Sequence, residues 1–327
     1  GTVLFLYWQF SKLVSVHRRQ MNAAAYSAQI YFDQREELLR SIKNSAIRQS
    51  PSLASPQLYA EMARDGLTPV ALPAGGNANS WMLILTERDL YAISSAHTRL
   101  IHFLPGKQMK TTSIWPAESA DAIISSQQAK LIAQELMKVE KTGDKYLLQK
   151  MIWLDVSGKM HDSLYIFNLL DPNQPDAGWL GLELHGIDTG IDFSSIHGSS
   201  YVLLDHNENP VLQSAPGDEM SEHFRHSFKQ DAFGLYGEDF WPEYMALNKR
   251  VGEAGWNLVY YIPIRHLLYD SRVAIQLALL LCGLLITAVL LGMRYIRDRL
   301  ILPAIRQYDA LLLSLIHISE PTRPERI

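Results

Sequence analysis

One segment constrains this chain more than any other: "SRVAIQLALLLCGLLITAVLLGMRYIRDRLILPAI", Ser271 to Ile305. Between Val273 and Met293 there is no charged side chain, and Gln276 and Thr287 are the only clearly polar ones. As a helix this stretch measures roughly 32 Å, which matches a hydrocarbon core of about 30 Å. Leu, Ile and Val dominate it. At roughly −0.5 kcal/mol each they favour insertion by about 6 kcal/mol, more than Gln276 and Thr287 cost. A buried core helix of this length would keep a polar stripe. Residues 273–293 are therefore expected to cross a membrane. Arg294, Arg297 and Arg299 follow directly, and dense arginine past a span marks the cytoplasmic flank.

The ends of the chain differ in kind. It opens "GTVLFLYWQFSKLVSVHRRQ", apolar from Thr2 to Phe10 but too short there to span a bilayer alone. Residues 1–16 are expected to be the tail of a truncated first transmembrane helix, with a signal-peptide remnant or an interfacial anchor as the alternatives. The other end, "SLIHISEPTRPERI", resembles translated sequencing-adapter DNA, so 314–327 are set aside from fold reasoning. His317, Glu320, Thr322, Arg323 and Pro324 are the residue types of a histidine-kinase phosphoacceptor motif, but in the wrong order. In that motif Glu directly follows His, and Arg precedes Thr-Pro. The chain is expected to be a fragment of a longer protein.

About 250 residues lie between the apolar ends, enough for one large domain or two small ones. A formal net charge of −4 gives no basic excess, so no nucleic-acid partner is expected. The single cysteine, Cys282, sits inside the apolar helix. The domain between the ends is thus free of thiols. That excludes a disulfide framework or a Cys-ligated metal there and suits a periplasmic location.

Helical spacing runs from about Val14 to Gln49, with Ala24, Ala28, Tyr31, Leu38, Ile42 and Ala46 three, four or seven apart. "YFDQREELLRSIKNSAIRQ" reads as a solvent-facing helix with Glu36 and Arg40 as an i,i+4 pair. Residues 17–56 are expected to form a helical connector, ended by "SPSLASP". A short helix is expected near Gln57 to Arg64. "SWMLILTERDLYAISSA" reads as strand, turn, strand, with Leu90 to Ser94 returning. "SSYVLLDHNENPVLQSA" reads the same way, and aligning Leu85 with Leu204 and Ile93 with Leu212 gives a repeat of about 119 residues. A helix at 118–141 and strands at 146–155, 163–169, 179–184 and 256–261 complete the pattern, with a further short helix near 221–229. This order is α+β with antiparallel sheets. It fits a PAS-like or Cache-like sensory domain over 57–270, tandem within that span, behind a long N-terminal helix and between transmembrane helices.

Few residues suggest chemistry. His223 and His226, with Glu222 beside them, lie on one helix face as zinc ligands might be arranged, but read as a solvated face. His185, Asp188 and Asp192 follow a strand end, where loop acids also serve turns. Gly75-Gly76 and Gly186 with Gly190 fit no phosphate-binding template. Trp81, Trp115, Trp153, Trp179 and Trp256 read as core before pocket lining. No catalytic, metal or cofactor residue is assigned, no cofactor is expected, and the ligand-contacting residues stay open.

The second half resembles a known family. "AGWLGLELHGIDTGIDF", "YVLLDHNENPVLQS", "WNLVYYIPIRHLLYDSR", the membrane helix and "RYIRDRLILPAIRQYDAL" follow one another as in hybrid sensor histidine kinases of the Rcs phosphorelay type. Pro303-Ala304 and Asp309-Ala310-Leu311 match its basic segment past the second membrane helix. The resemblance covers Ala177 to Leu313; the earlier part matches in layout alone. It implies a periplasmic sensory domain between two helices of the bacterial inner membrane. It also implies a homodimer, a periplasmic ligand or protein as stimulus, and a parent with protein-histidine kinase activity whose catalytic domains lie outside this chain. Residues 294–313 are then a cytoplasmic linker, with Arg297, Arg299 and Pro303 as signal-relay residues. The alternatives are the sensor part of a chemoreceptor or cyclase, or a membrane-anchored periplasmic hydrolase.

Overall fold

The computed structural model describes residues 1–48, 56–73, 80–104, 110–116, 126–142, 146–154, 158–184, 199–205, 208–214, 232–237, 242–253 and 255–319. They divide into two compact units, 17–264 and a second made of 1–16 with 265–327.

A single helix, α1 (Thr2–Asn44), opens the chain. Its buried stripe is Met21, Ala24, Ala25, Ala28, Phe32, Leu39 and Ile42. The expected solvent-facing stretch is therefore half core. Glu36 is 3% exposed, and the ion pair of Arg40 on this helix goes to Glu37 at 2.6 Å rather than to Glu36. Periodicity gave the helix but not which flank the sheets would cover.

Strand β1 (Ile47–Arg48), helix α2 (Pro56–Arg64), β2 (Thr68–Leu72) and β3 (Trp81–Leu85) follow, and the strands form an antiparallel sheet in the order β1-β3-β2. The expected return strand at Leu90–Ser94 is instead helix α3 (Glu87–Ser95). A capping box starts it: Asp89 N–H donates to Thr86 Oγ1 at 3.1 Å, and Thr86 N–H donates to Asp89 Oδ2 at 3.2 Å. Two of the four free N–H groups at the helix start are satisfied, which favours helix over hairpin after β3.

The next strands are β4 (Leu100–Leu104), β5 (Lys110–Trp115), β6 (Tyr146–Leu154), β7 (Met160–Leu169) and β8 (Trp179–Glu183), with helix α4 (Ser126–Thr142) between β5 and β6. They pair antiparallel in the order β5-β4-β8-β7-β6. A second set, β9 (Ser200–Leu204), β10 (Pro210–Gln213), β11 (Ala232–Tyr236), β12 (Tyr244–Val251) and β13 (Trp256–Pro263), pairs as β10-β9-β13-β12-β11. Numbered within each set, both sheets read 2-1-5-4-3. The tandem arrangement is thus real, and the fold is α+β and PAS/Cache-like. The repeat unit differs from the one expected. β4, not β3, is the counterpart of β9, and Leu85 belongs to another sheet.

The central strands of each five-stranded sheet are buried on both faces. On the first, Ile101, Phe103, Met151, Tyr165, Phe167 and Trp179 meet Ala129, Ile132, Ala133 and Leu136 of α4. The other face carries Leu100, His102, Ile166, Leu180 and Leu182, and Asn168 there accepts from Lys43 of α1 at 3.4 Å. On the second sheet, Val202, Leu204, Ala246, Val259 and Tyr261 cluster on one face. Phe233 lies on the opposite face, beneath the Arg18 guanidinium of α1 at 5.0 Å.

In the other unit, α5 (Ile264–Asp270) leads to α6 (Arg272–Ile296), a π-helical turn (Arg297–Ile301) and α7 (Leu302–Ser319). Among the described residues, one stretch, Arg272–Ile318, is long and apolar enough to cross a membrane.

Candidate functional site

Register builds one polar row into the first five-stranded sheet. Tyr165 on β7 lies opposite Glu183 on β8, and Glu183 N–H donates to the carbonyl of Arg99, the residue before β4, at 2.9 Å. Arg99, Glu183 and Tyr165 thus stand side by side on the α4-facing surface, 8%, 5% and 1% exposed. The Tyr165 hydroxyl donates to Glu183 Oε2 at 2.9 Å. Burial first, and then the Glu183 carboxylate, push the Tyr165 phenol well above its usual range, with the Arg99 guanidinium acting in the opposite sense. The phenol therefore stays protonated and remains a donor. A cation, a carboxylate and a phenol compensate one another in a water-poor sheet face, where each would be costly alone. The next row down is apolar and tight. A Cβ at Gly181 would meet the Phe167 ring at 2.7 Å and Ile101 Cγ1 at 2.9 Å, so glycine lets these strands pack beneath the row.

His102 points to the other face of the same sheet. Its Nε2 lies 2.7 Å from the Ala177 carbonyl, which fixes the proton on Nε2, and burial lowers its pKa below the usual histidine value. It is a neutral core donor that secures the turn before β8.

The membrane-length helix supplies the second element. Arg272 stacks 4.5 Å over the Tyr269 ring and donates to its hydroxyl at 2.8 Å, an aromatic–cation pair of the kind found at a membrane interface. Thr287 returns its hydroxyl to the Gly283 carbonyl at 2.8 Å, which removes the cost of a polar group in lipid. Past Met293 the helix widens. Leu302 N–H donates to the Arg297 carbonyl, five residues back, instead of the usual four. Pro303 explains the location. It has no N–H for the Arg299 carbonyl, and its ring crowds that turn. Arg297 and Arg299 lie in the π turn, and both are exposed, as is Pro303.

Sequence reasoning missed the polar row because its members are 66 and 18 residues apart and only register unites them. Trp179 and Trp256 are buried, as expected of core residues. His185, Asp188, Asp192, Glu222, His223, His226 and the glycines 75, 76, 186 and 190 lie outside the described residues.

No protein-family profile and no curated protein matches the chain. Solved structures that resemble it are sensory domains of chemoreceptors and histidine kinases. The ligand-binding domain of Campylobacter jejuni chemoreceptor Tlp3, in complex with L-valine, is 10% identical with a TM-score of 0.44, over 81% of this chain and 97% of that one. That of Pseudomonas fluorescens chemoreceptor CtaA, in complex with L-isoleucine, is 11% identical with a TM-score of 0.42, over 80% and 96%. The sensor domain of the V. cholerae histidine kinase DctB is 10% identical with a TM-score of 0.37, over 78% and 98%. The architecture described above rests on its own strand order and not on these likenesses.

Proposed function

We propose that this chain is the sensing and transmembrane-signalling part of a sensor histidine kinase of the Rcs phosphorelay type. The observation that carries this reading is the helix from Arg272 to Ile318, which follows the last strand of a tandem-sheet domain and is broken by a π turn at Arg297–Ile301. In this reading 17–270 lie in the periplasm and 273–293 cross the inner membrane. The basic segment from Arg294 reaches the cytoplasm, and 1–16 belong to a first span. Two copies associate through α6, where Ala288 with Gly292 permits close contact; Ala278, which pairs with Ala274 in the sequence, is covered within the chain. The chain itself carries no phosphoacceptor domain and binds no cofactor. A stimulus that favours one of two states of the outer domain shifts the population by its differential affinity. The Arg99–Glu183–Tyr165 row is the proposed contact for a small ligand carrying both a carboxylate and an ammonium group, which would replace bonds these side chains now make to one another.

Fusions test the topology. A reporter active only in the periplasm should work when joined at Ser214 and be silent at Gln307, and the purified chain should take no label from ATP. The reverse reporter pattern, or label on the chain, defeats the proposal. A heptad hairpin instead of a dimerisation helix with His-Glu-x-Arg-Thr-Pro, encoded after Leu313, assigns the sensor to a chemoreceptor.

A further inference from the structure

Glu36 is the charged residue that α1 buries most deeply among the described ones, at 3% exposure. It faces the hairpin between β12 and β13. Glu253 N–H in that hairpin donates to Glu36 Oε1 at 2.8 Å. Two glycines flank the donor, Gly252 with φ 68° and Gly255 with φ 69°, a left-handed backbone that other residues adopt at a cost. The hairpin is thus shaped to turn a backbone N–H toward the helix. One turn on, Arg40 donates to the Glu253 carboxylate at 2.8 Å and to Glu37 at 2.6 Å. The contact between helix and hairpin therefore consists of one buried carboxyl, one backbone donor and a half-exposed ionic rim.

The charges around Glu36 are unbalanced. On α1 itself stand Asp33, Glu37 and Arg40; Arg35 lies against the Tyr31 ring at 5.1 Å and Lys43 reaches Asn168. On the hairpin stand Glu253 and, exposed and turned toward Gly255, Arg250. Burial raises the Glu36 pKa to about 7 from the ordinary 4.5. The Glu253 N–H opposes this, the Glu253 and Asp33 carboxylates add to it, and Arg40 opposes it. A folded-state value above the unfolded one means stability that is complete below about pH 4.5 and lost as pH rises through about 7.

We infer that Glu36 and the β12–β13 hairpin form a proton-operated latch: the neutral carboxyl holds α1 against the second five-stranded sheet, and its ionisation loosens that joint. Protonated, Glu36 still accepts from Glu253 N–H and no longer repels the neighbouring carboxylates. Ionised, it is a buried anion among anions, and the helix and hairpin separate more readily. The latch concerns this joint alone and stands whether or not the chain signals.

Hydrogen exchange on the full chain in lipid nanodiscs tests it, read on peptides covering 250–258 and corrected for intrinsic exchange at each pH. Wild type should lose protection several-fold between pH 5.5 and pH 8.5, while Glu36→Gln, which fixes the neutral form, should hold the same protection at both. Equal wild-type protection at the two values, or a Glu36→Gln protein that follows wild type, overturns the latch. If Glu36→Gln does not fold, Glu253→Gln serves instead. Removing that carboxylate should move the pH midpoint of the loss downward, because Glu36 then ionises against less repulsion; a midpoint unchanged from wild type, or moved upward, overturns the latch.

Discussion

Gly178 shows how one position can be fixed by its surroundings. It has φ 89° and ψ −166°, a region that essentially only glycine occupies. A Cβ there would meet the Phe103 carbonyl at 2.6 Å and His102 Nε2 at 2.8 Å. Gly178→Ala should cost roughly 3 kcal/mol, from backbone strain and a clash with backbone that cannot swing aside. Gly158 has φ +82° but open space around its Cβ position, so Gly158→Ala should cost about 1 kcal/mol. Thermal unfolding of both variants measures the difference, and equal losses would refute the assignment of the cost to the contact. "DPNQPDAGW" is legible as a turn before β8. That its glycine abuts β4, far away in sequence, is not, and the same holds for Glu36. An acid on an amphipathic helix reads as surface until a hairpin more than 200 residues later covers it.

Helices with long periodic faces were legible, and short strands were not. Six strands, β1, β2, β4, β5, β11 and β12, have no counterpart in the pattern read from the sequence. The cause is clear in β4, "LIHFL", whose five residues are all buried. A strand covered on both faces loses the alternation that marks a half-exposed one. α3 was lost for a different reason, because "TERD" reads equally well as a turn until Thr86 and Asp89 close their reciprocal bonds. Pro303 was legible as a break, but the form of the break was not. It is a π turn within a continuing helix, and not an end. Pro303→Ala restores the missing N–H, so the π turn should relax to α and turn all later residues by about 100° relative to α6. A cysteine scan reads this. Across 273–293, crosslinks between copies should recur with helical period, and across 304–313 their phase should shift in Pro303→Ala. No periodic crosslinks would remove the α6 dimer, and an unshifted phase would remove the π-turn account.

Taken as one molecule, the chain has one helix that touches both five-stranded sheets. α1 meets Asn168 of the first and the β12–β13 hairpin of the second, so a change at either sheet has a rigid element to act on. Ligand binding at the row belongs to this level, because it would bias the whole domain. The purified chain, warmed with a set of free amino acids, should unfold at a higher temperature with at least one of them. Arg99→Gln should abolish that gain while the protein alone stays folded. A gain that survives Arg99→Gln places the ligand elsewhere, and the Tyr165–Glu183 bond then serves only the core.

The membrane-length helix, the long α1 and the α+β class follow from local pattern: apolar run length, a period near 3.6, and strands set between turns. These depend on residues a few positions apart, so the amino-acid order alone fixes them. The strand order 2-1-5-4-3, its recurrence, the meeting of Arg99, Tyr165 and Glu183, and the burial of Glu36 depend on which strands pair and which helix flank is covered. Those are contacts across tens to hundreds of residues. The burial of the central strands on both faces hides them from the sequence, because it replaces the alternating signal with uniform apolarity.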